Sequence, residues 1–388
     1  MGAGTRKRRA DVAPSEKPSP NQLVLRNHAR VSSILFFDAV CERPYDSGTL
    51  ANEAMGGTEA TVVRVADALG ALVAQHKRTS ASGRYVPPTR DPAITHLVVI
   101  RDSRALAAAR ELYPNARVHL WLHDRVHPGS TRGHRLKRSK ELLRSLEVRV
   151  ICVSETHRRA VEATLRWIGV DDRVRACTIY NPVDDALEPD GSRIDDGKLV
   201  FLSSPNKGLK FALDAFRALR RRMPDLRLVI GNPGYKSARL APIDGVEYLG
   251  PQPHALMLAE VRNALCTFFP NFVIPETFGL VLAESRALGT PGLTHDCGAA
   301  LEVLDDPRQV LPVTPAKRIY EAVLGSCTPG CRALPARIAA RLGLFDDYLE
   351  RIAAWRSGAR PVTGPDPRFR LSVVAARWRE LLQPGSAR

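Results

Sequence analysis

Short apolar runs alternate with longer amphipathic stretches twice along the chain, and few architectures accept that pattern. Ile34-Leu35-Phe36-Phe37 is apolar throughout, as a strand buried on both faces must be. A glycine-containing loop follows, then a helical pattern from about Glu59 in which Val62, Val65, Ala66, Leu69, Leu72 and Val73 share one stripe. Residues 97–100, 118–122 and 150–153 repeat the strand signal. The pattern breaks at Asn181-Pro182-Val183-Asp184, and residues 185–197 are acidic and poor in apolar side chains. It restarts with apolar runs at 199–202, 226–230, 246–249, 266–269 and near 292–294, with helices expected at about 209–223 and 278–288. Strand–helix alternation of this kind implies α/β units, each a parallel sheet covered by helices on both faces. The expected organisation is a basic tail over residues 1–30, a first unit over 31–184, a linker over 185–197 and a second unit over 198–365, followed by a helical segment over 366–388. Ligands of doubly wound sheets sit at the carboxyl ends of the strands, so the loops there are where chemistry is to be sought.

Composition narrows the function. With 44% apolar and 25% charged residues, the 388-residue chain is neither disordered nor collagen-like. No run approaches the ~18 apolar residues of a spanning helix. The first thirty residues carry Arg6-Lys7-Arg8-Arg9 and three prolines but no apolar core, so no secretory leader is expected, and Arg6 stands where a myristoylation motif needs Ser or Thr. Seven scattered cysteines then read as reduced thiols in a cytoplasmic setting. Cys327 and Cys331 lack a second Cys or His pair, and no metal is expected. The net charge of +16 favours anionic partners. Residues 125–149, with eight Lys/Arg against Glu141 and Glu147, are the densest source of that charge, and an anionic acceptor or an anionic membrane surface is the expected partner rather than nucleic acid.

Three familiar motifs fail. Residues 191–198 resemble a phosphate loop, but the glycine spacing is wrong and Leu199 stands in place of Ser/Thr. No Gly-x-Gly-x-x-Gly follows an expected strand, and no Gly-x-Ser-x-Gly elbow occurs. What remains is the block 275–284, Pro-Glu-Thr-Phe-Gly-Leu-Val-Leu-Ala-Glu. It places Glu276 before a helix and Glu284 on it, about 12 Å apart along the axis if helical throughout. Main-chain N–H groups of Phe278, Gly279 and Leu280 between them could receive a diphosphate. Two glutamates alone read more simply as a helix-dipole acid and an exposed side chain.

The surrounding residues change that balance. Pro275-Glu276-x-Phe278-Gly279-Leu280-x-x-Ala283-Glu284-x-x-Ala287-x-Gly289-x-Pro291 closely resembles the donor-site signature of retaining GT-B glycosyltransferases, family 4 in particular. Gly298-Ala299-Ala300-x-Glu302-Val303 is similar to that family's downstream segment, and Ser203-Ser204-Pro205-Asn206-Lys207-Gly208-Leu209 to its phosphate-binding loop. In the first unit, Gly56-Gly57-Thr58-Glu59, Trp121-Leu122-His123-Asp124 and Val153-Ser154-Glu155 also fit, and the resemblance covers roughly residues 31–305. It implies a GT-B fold of two Rossmann-like domains facing a central cleft, with the helix near Trp378 returning to the first domain. It further implies transfer of a sugar from a nucleotide-diphosphate sugar to a hydroxyl acceptor with retention, without cofactor, metal or enzymatic nucleophile. The leaving diphosphate would help to deprotonate the acceptor. By the same resemblance Glu276 faces the donor sugar, Glu284 holds the nucleotide ribose, and Lys207 meets the diphosphate, where fixed positive charge is most effective. Gly56 and Gly57 let backbone approach the phosphates, and His123 contacts the reacting sugar. Many relatives place an Arg several residues before this Lys; here the stretch is Phe201-Leu202-Ser203-Ser204, which leaves Ser204 and Asn206 as hydrogen-bonding donor contacts. The alternatives are a sugar-nucleotide epimerase on the same fold and a non-enzymatic polyanion-binding protein.

Overall fold

The computed structural model describes residues 32–232, 242–327 and 331–383, so the basic tail expected at the N-terminus lies outside the described residues. Two parallel sheets form. The first contains β1 (Ile34–Asp38), β2 (Leu72–Gln75), β3 (Tyr85–Val86), β4 (His96–Ile100), β5 (Arg117–Leu122), β6 (Arg149–Cys152) and β7 (Arg175–Thr178). Its spatial order is β3-β2-β1-β4-β5-β6-β7. The second contains β8 (Asp195–Leu202), β9 (Arg227–Asn232), β10 (Val246–Pro251), β11 (Ala264–Phe269), β12 (Gly292–His295) and β13 (Val310–Leu311), in the order β10-β9-β8-β11-β12-β13. In each sheet the order reverses beside the first strand: β1 pairs with both β2 and β4, and β8 with both β9 and β11. Those reversals open the crevices in which doubly wound sheets bind ligands.

The apolar runs are explained by two-sided burial. Leu35 and Phe37 enter the core on one face of the first sheet, while Phe36 enters a core on the other that continues into the second sheet through Phe201 and Phe268. A third cluster around Val200, Val229 and Val261 covers the remaining face of the second sheet. The helix Leu371–Leu381 joins the halves. Its Trp378 packs edge-on against Trp121 (4.7 Å between centroids) and Phe36 (5.5 Å). The strap leading into that helix is pinned at the domain junction, where Val183 N donates to Phe369 O (2.7 Å) and Leu371 N to Val183 O (2.9 Å).

Three local expectations change. The stripe extended to Leu72 and Val73 ends sooner, because Gly70 takes a left-handed conformation (φ 65°) that terminates the helix Gly57–Leu69, and Leu72 and Val73 start β2. Strand β8 begins at Asp195, inside the stretch read as linker. Asp195 donates its N–H to Asn263 O (2.8 Å), accepts from Gly197 N (3.0 Å) and pairs with Arg227, so its acidity serves the strand entry. The helix expected from 278 starts at Leu280, since Gly279 stands at φ 94°.

Trp378 is wholly buried, and its removal would leave a large void in the inter-sheet core. Trp378→Ala is expected to cost about 3–5 kcal/mol of unfolding free energy, read by denaturant titration. A loss below about 1 kcal/mol would mean that the helix does not join the two halves.

Candidate functional site

The two crevices meet. Gly56 starts the helix Gly57–Leu69 and Gly279 starts the helix Leu280–Ala287, and neither helix has a side-chain cap. A Cβ on Gly57 would stand 3.7 Å from Leu280 Cδ2, so the two uncapped entries abut across the cleft. Main-chain donors from both domains thus converge where an anion would be stabilised. Phe278 itself is buried against Phe369 (5.0 Å) and Tyr180 (6.2 Å), which fixes the backbone leading into Gly279.

Glu276 lies on the second domain's side of this meeting point. Lys207 Nζ reaches its carboxylate at 2.9 Å, and Asn271 Nδ2 donates to Oε1 at 3.3 Å. Its backbone is clamped: Ala299 N donates to Glu276 O (2.9 Å), and a Cβ on Gly298 would lie 2.2 Å from that oxygen. Only glycine fits there, which accounts for Gly298 in the motif. Gly208, at φ 88°, lets the Lys207 loop run against Pro270 and Asn271. Ser204 is buried with its hydroxyl bound to Asn206, so those two side chains engage each other.

His123 approaches from the first domain. Its ring packs at a tilt of 51° against Trp121 (4.4 Å between centroids), its Nε2 is buried without a hydrogen-bond partner, and its carbonyl accepts from Thr277 Oγ1 (2.7 Å). Burial, with Arg101 nearby, pushes its pKa down to about 3, so the imidazole is neutral at physiological pH. Thr277 also receives Ser154 Oγ at its carbonyl (2.6 Å), while Glu302 accepts the main-chain N–H groups of Glu155 (2.6 Å) and Thr156 (2.9 Å). These contacts bring His123 to the residue beside Glu276.

Glu284 sits apart from Glu276, one turn into its helix, in a second charged knot. Its carboxylate meets Arg64 Nη1 at 3.1 Å and His254 Nε2 at 3.0 Å. Arg64 and Glu284 expose only 8% and 7% of their side chains, so the pair is a buried contact between domains. The sequence reading missed Arg64, His254 and the role of Glu302. Arg64 alone left a signal, an arginine among Val62, Val63, Val65 and Ala66 on a buried helix.

Residues 189–322, which contain Lys207, Glu276 and Glu284, match the family described as glycosyl transferases group 1. Over those residues the chain is similar to that family. The chain is 30% identical over 209 residues to a phosphatidyl-myo-inositol mannosyltransferase of Mycobacterium tuberculosis, covering 49% of this chain and 52% of that protein. It is 30% identical over 175 residues to a phosphatidylinositol N-acetylglucosaminyltransferase component of Arabidopsis thaliana, covering 42% and 37%. The chain spans about half the length of the mycobacterial relatives it matches, or less. Among solved structures, Anabaena HepE in complex with UDP and glucose superposes with a TM-score of 0.56 at 16% identity, covering 90% of this chain and 98% of that one. Sucrose-phosphate synthase from Thermosynechococcus elongatus gives 0.54 at 15% identity, covering 90% and 97%. At these identities the likeness is one of fold, and that fold is GT-B.

The Glu284 knot has a pH dependence. Burial alone would raise the carboxyl's pKa, but His254 and Arg64 outweigh it and hold the value below its ordinary 4.5. A group whose pKa is depressed by folding stabilises the native state above its unfolded value and loses that contribution as the pH falls through the folded one. Glu284→Gln, which leaves Arg64 with a neutral partner, is expected to cost on the order of 3 kcal/mol at neutral pH. The gap between the melting temperatures of the two proteins should narrow once the pH drops below 4.5. A gap independent of pH would show that the Glu284 charge contributes nothing.

Proposed function

We propose that the protein is a retaining, metal-independent glycosyltransferase that moves a sugar from a nucleotide-diphosphate sugar to a hydroxyl acceptor on a glycan, lipid or glycoconjugate. One observation carries the reading: Lys207 and Glu276 form a charge pair in the same cleft where the two uncapped helix entries at Gly57 and Leu280 abut. The matched family and its mannosyl- and N-acetylglucosaminyltransferase relatives support transfer over epimerisation or plain polyanion binding.

The roles follow from the chemistry of each group. A diphosphate entering between the helix entries gives Lys207 a second anion, and its ammonium then opposes the charge that grows on the leaving group. Glu276, clamped through its backbone, accepts hydrogen bonds from sugar hydroxyls and faces the anomeric carbon. Neutral His123, with Nε2 unpartnered and buried, donates or accepts one hydrogen bond at the sugar without adding charge. Glu284 holds the ribose diol, and its contacts to Arg64 and His254 loosen to admit it. Retention follows if the acceptor attacks from the face that the diphosphate leaves, the departing oxygen taking the acceptor's proton.

No helix among the described residues is long and apolar enough to cross a membrane. The relatives named for phosphatidylinositol support a protein that works at a membrane surface.

Hydrolysis of a panel of sugar nucleotides by the pure protein is the direct test, and no turnover or binding of any of them overturns the reading. The two glutamates separate further. Glu276 acts where the bond breaks, whereas the ribose is alike in ground and transition states. Glu276→Gln should therefore chiefly lower kcat and Glu284→Gln chiefly raise the donor KM. Free nucleoside diphosphate, titrated by calorimetry, should bind the first variant normally and the second about tenfold more weakly. Equal losses would mean that the two carboxylates have been assigned the wrong partners.

A further inference from the structure

The charge that stood out in the sequence, residues 125–149, is largely answered in the structure. Arg132, Arg135, Lys140 and Arg144 each meet a carboxylate, at 3.0, 3.4, 3.5 and 2.9 Å. The helix Ala333–Arg341 of the second domain is different, and it lies past residues 189–322, where the family match ends. Pro335 stands in its first turn, where a missing N–H costs no helical hydrogen bond, and Gly343, at φ 77°, follows its end. Its inward side is small: Ala336 and Ala339 are buried. Arg332, wholly buried just before it, donates to Asp214 (2.6 Å) on the helix Leu209–Arg222 and to Glu321 (2.7 Å) on the helix Pro315–Leu324. The helix is therefore fixed on the domain by a charged root and an alanine seam.

Its outward side is apolar. Leu334, Ile338 and Leu342 recur every four residues, which puts them on one face, and they expose 65%, 52% and 81% of their surface. Ile319 and Val323, also four apart, are exposed on the preceding helix. Single exposed aliphatic residues are ordinary, but a stripe of them marks an interaction site. Arginines flank this one. Arg337 and Arg341 lie beside the stripe, at the third and seventh positions after Leu334. Arg221, in the last turn of the helix Leu209–Arg222, has its pKa lowered by burial and by the charges of Arg337 and Arg341, so three guanidinium groups crowd together. Among the described residues none of the three has a carboxylate partner. No acidic residue occurs between Glu321, which Arg332 has taken, and Asp346.

The occupant of this face must be apolar and anionic at once. A second copy seated by the same face would bring like charges together. Protein partners are gripped chiefly through aromatic anchors in pockets, and this stripe holds only aliphatic side chains standing outward. An aliphatic stripe flanked by arginines, whose stems lie along apolar surface while their heads reach for charge, suits a helix lying in the plane of a lipid interface.

We propose that the helix Ala333–Arg341 docks the second domain on an anionic lipid surface, with Leu334, Ile338 and Leu342 entering the acyl boundary and Arg221, Arg337 and Arg341 meeting the lipid phosphates. The proposal rests on the membrane-surface reading above and names the face that makes the contact.

Co-sedimentation of the full chain with phosphatidylcholine vesicles, with and without phosphatidylglycerol, tests it. Binding should require phosphatidylglycerol. Ile338→Gln and Leu342→Gln should each weaken it about tenfold, the loss of one aliphatic side chain from the lipid. Arg337→Gln and Arg341→Gln should each weaken it about fivefold. Val362→Gln removes an exposed aliphatic side chain elsewhere in the chain, and Arg138→Gln an exposed charge in the first domain; each should change binding less than about twofold. Melting temperatures report that every variant folds. Absence of binding by the unmodified protein overturns the proposal, as does equal binding without phosphatidylglycerol. So does binding that Ile338→Gln and Leu342→Gln leave intact, or that Arg138→Gln weakens equally, which would mean diffuse attraction to the net positive charge. A dimer in light scattering that Ile338→Gln dissociates overturns it too, assigning the face to a second copy. Sugar-nucleotide hydrolysis is read on the same unmodified preparation. Vesicle binding that needs this helix, without hydrolysis of any sugar nucleotide, defeats the transferase reading alone, while hydrolysis without helix-dependent vesicle binding defeats the docking alone.

Discussion

A carboxylate laid across a helix N-terminus holds the two halves of the cleft in register. Glu302, from the second domain, accepts the first main-chain N–H groups of the helix Glu155–Ile168 in the first. That gives a charged acceptor to donors no helical carbonyl can reach, and it uses the dipole favourably. The adjoining hydroxyl, Ser154, caps the same helix by accepting from His157 N (3.0 Å) and donates to Thr277 O. Thr277 in turn binds His123 O. The chain of bonds therefore runs from a helix cap in one domain, through the residue next to Glu276, to the histidine of the other. It ties the main chain of His123 to Thr277, the residue beside Glu276.

The architecture was legible because parallel sheets buried on both faces write themselves as apolar runs. β1, β4, β5, β6 and β11 are all such runs. Three of the four edge strands were not: β3 and β13 have two residues each, and β7 mixes an exposed Arg175 with half-buried positions up to Thr178. Leu72 and Val73 show why a periodic stripe cannot by itself locate a helix end. Their spacing continues the helix, and only the left-handed Gly70 decides against it.

The site divided along the same line between local and distant information. Lys207-Gly208 and the block from Glu276 to Glu284 are contiguous and could be read as motifs. Arg64 and His254 lie 220 and 30 positions from Glu284, and nothing local relates them to it.

The Arg64–Glu284 contact then bears on how the cleft works. A buried ion pair returns little net stability, since each charge has lost its hydration, but removing one partner leaves the other stranded. In the role proposed for Glu284, a neutral ribose diol replaces part of Arg64's hold on it by hydrogen bonds, and His254 stays within reach of both. The exchange would trade one charge-assisted contact for others rather than expose a bare carboxylate or a bare guanidinium. In the proposed role for Glu284, domain contact and donor binding therefore draw on the same carboxylate, and the two can alternate at small net cost. That also explains why His254 is there: with Nε2 on Glu284 and Nδ1 3.3 Å from Arg64 Nη2, it bridges both partners and keeps each from standing alone while the other is exchanged.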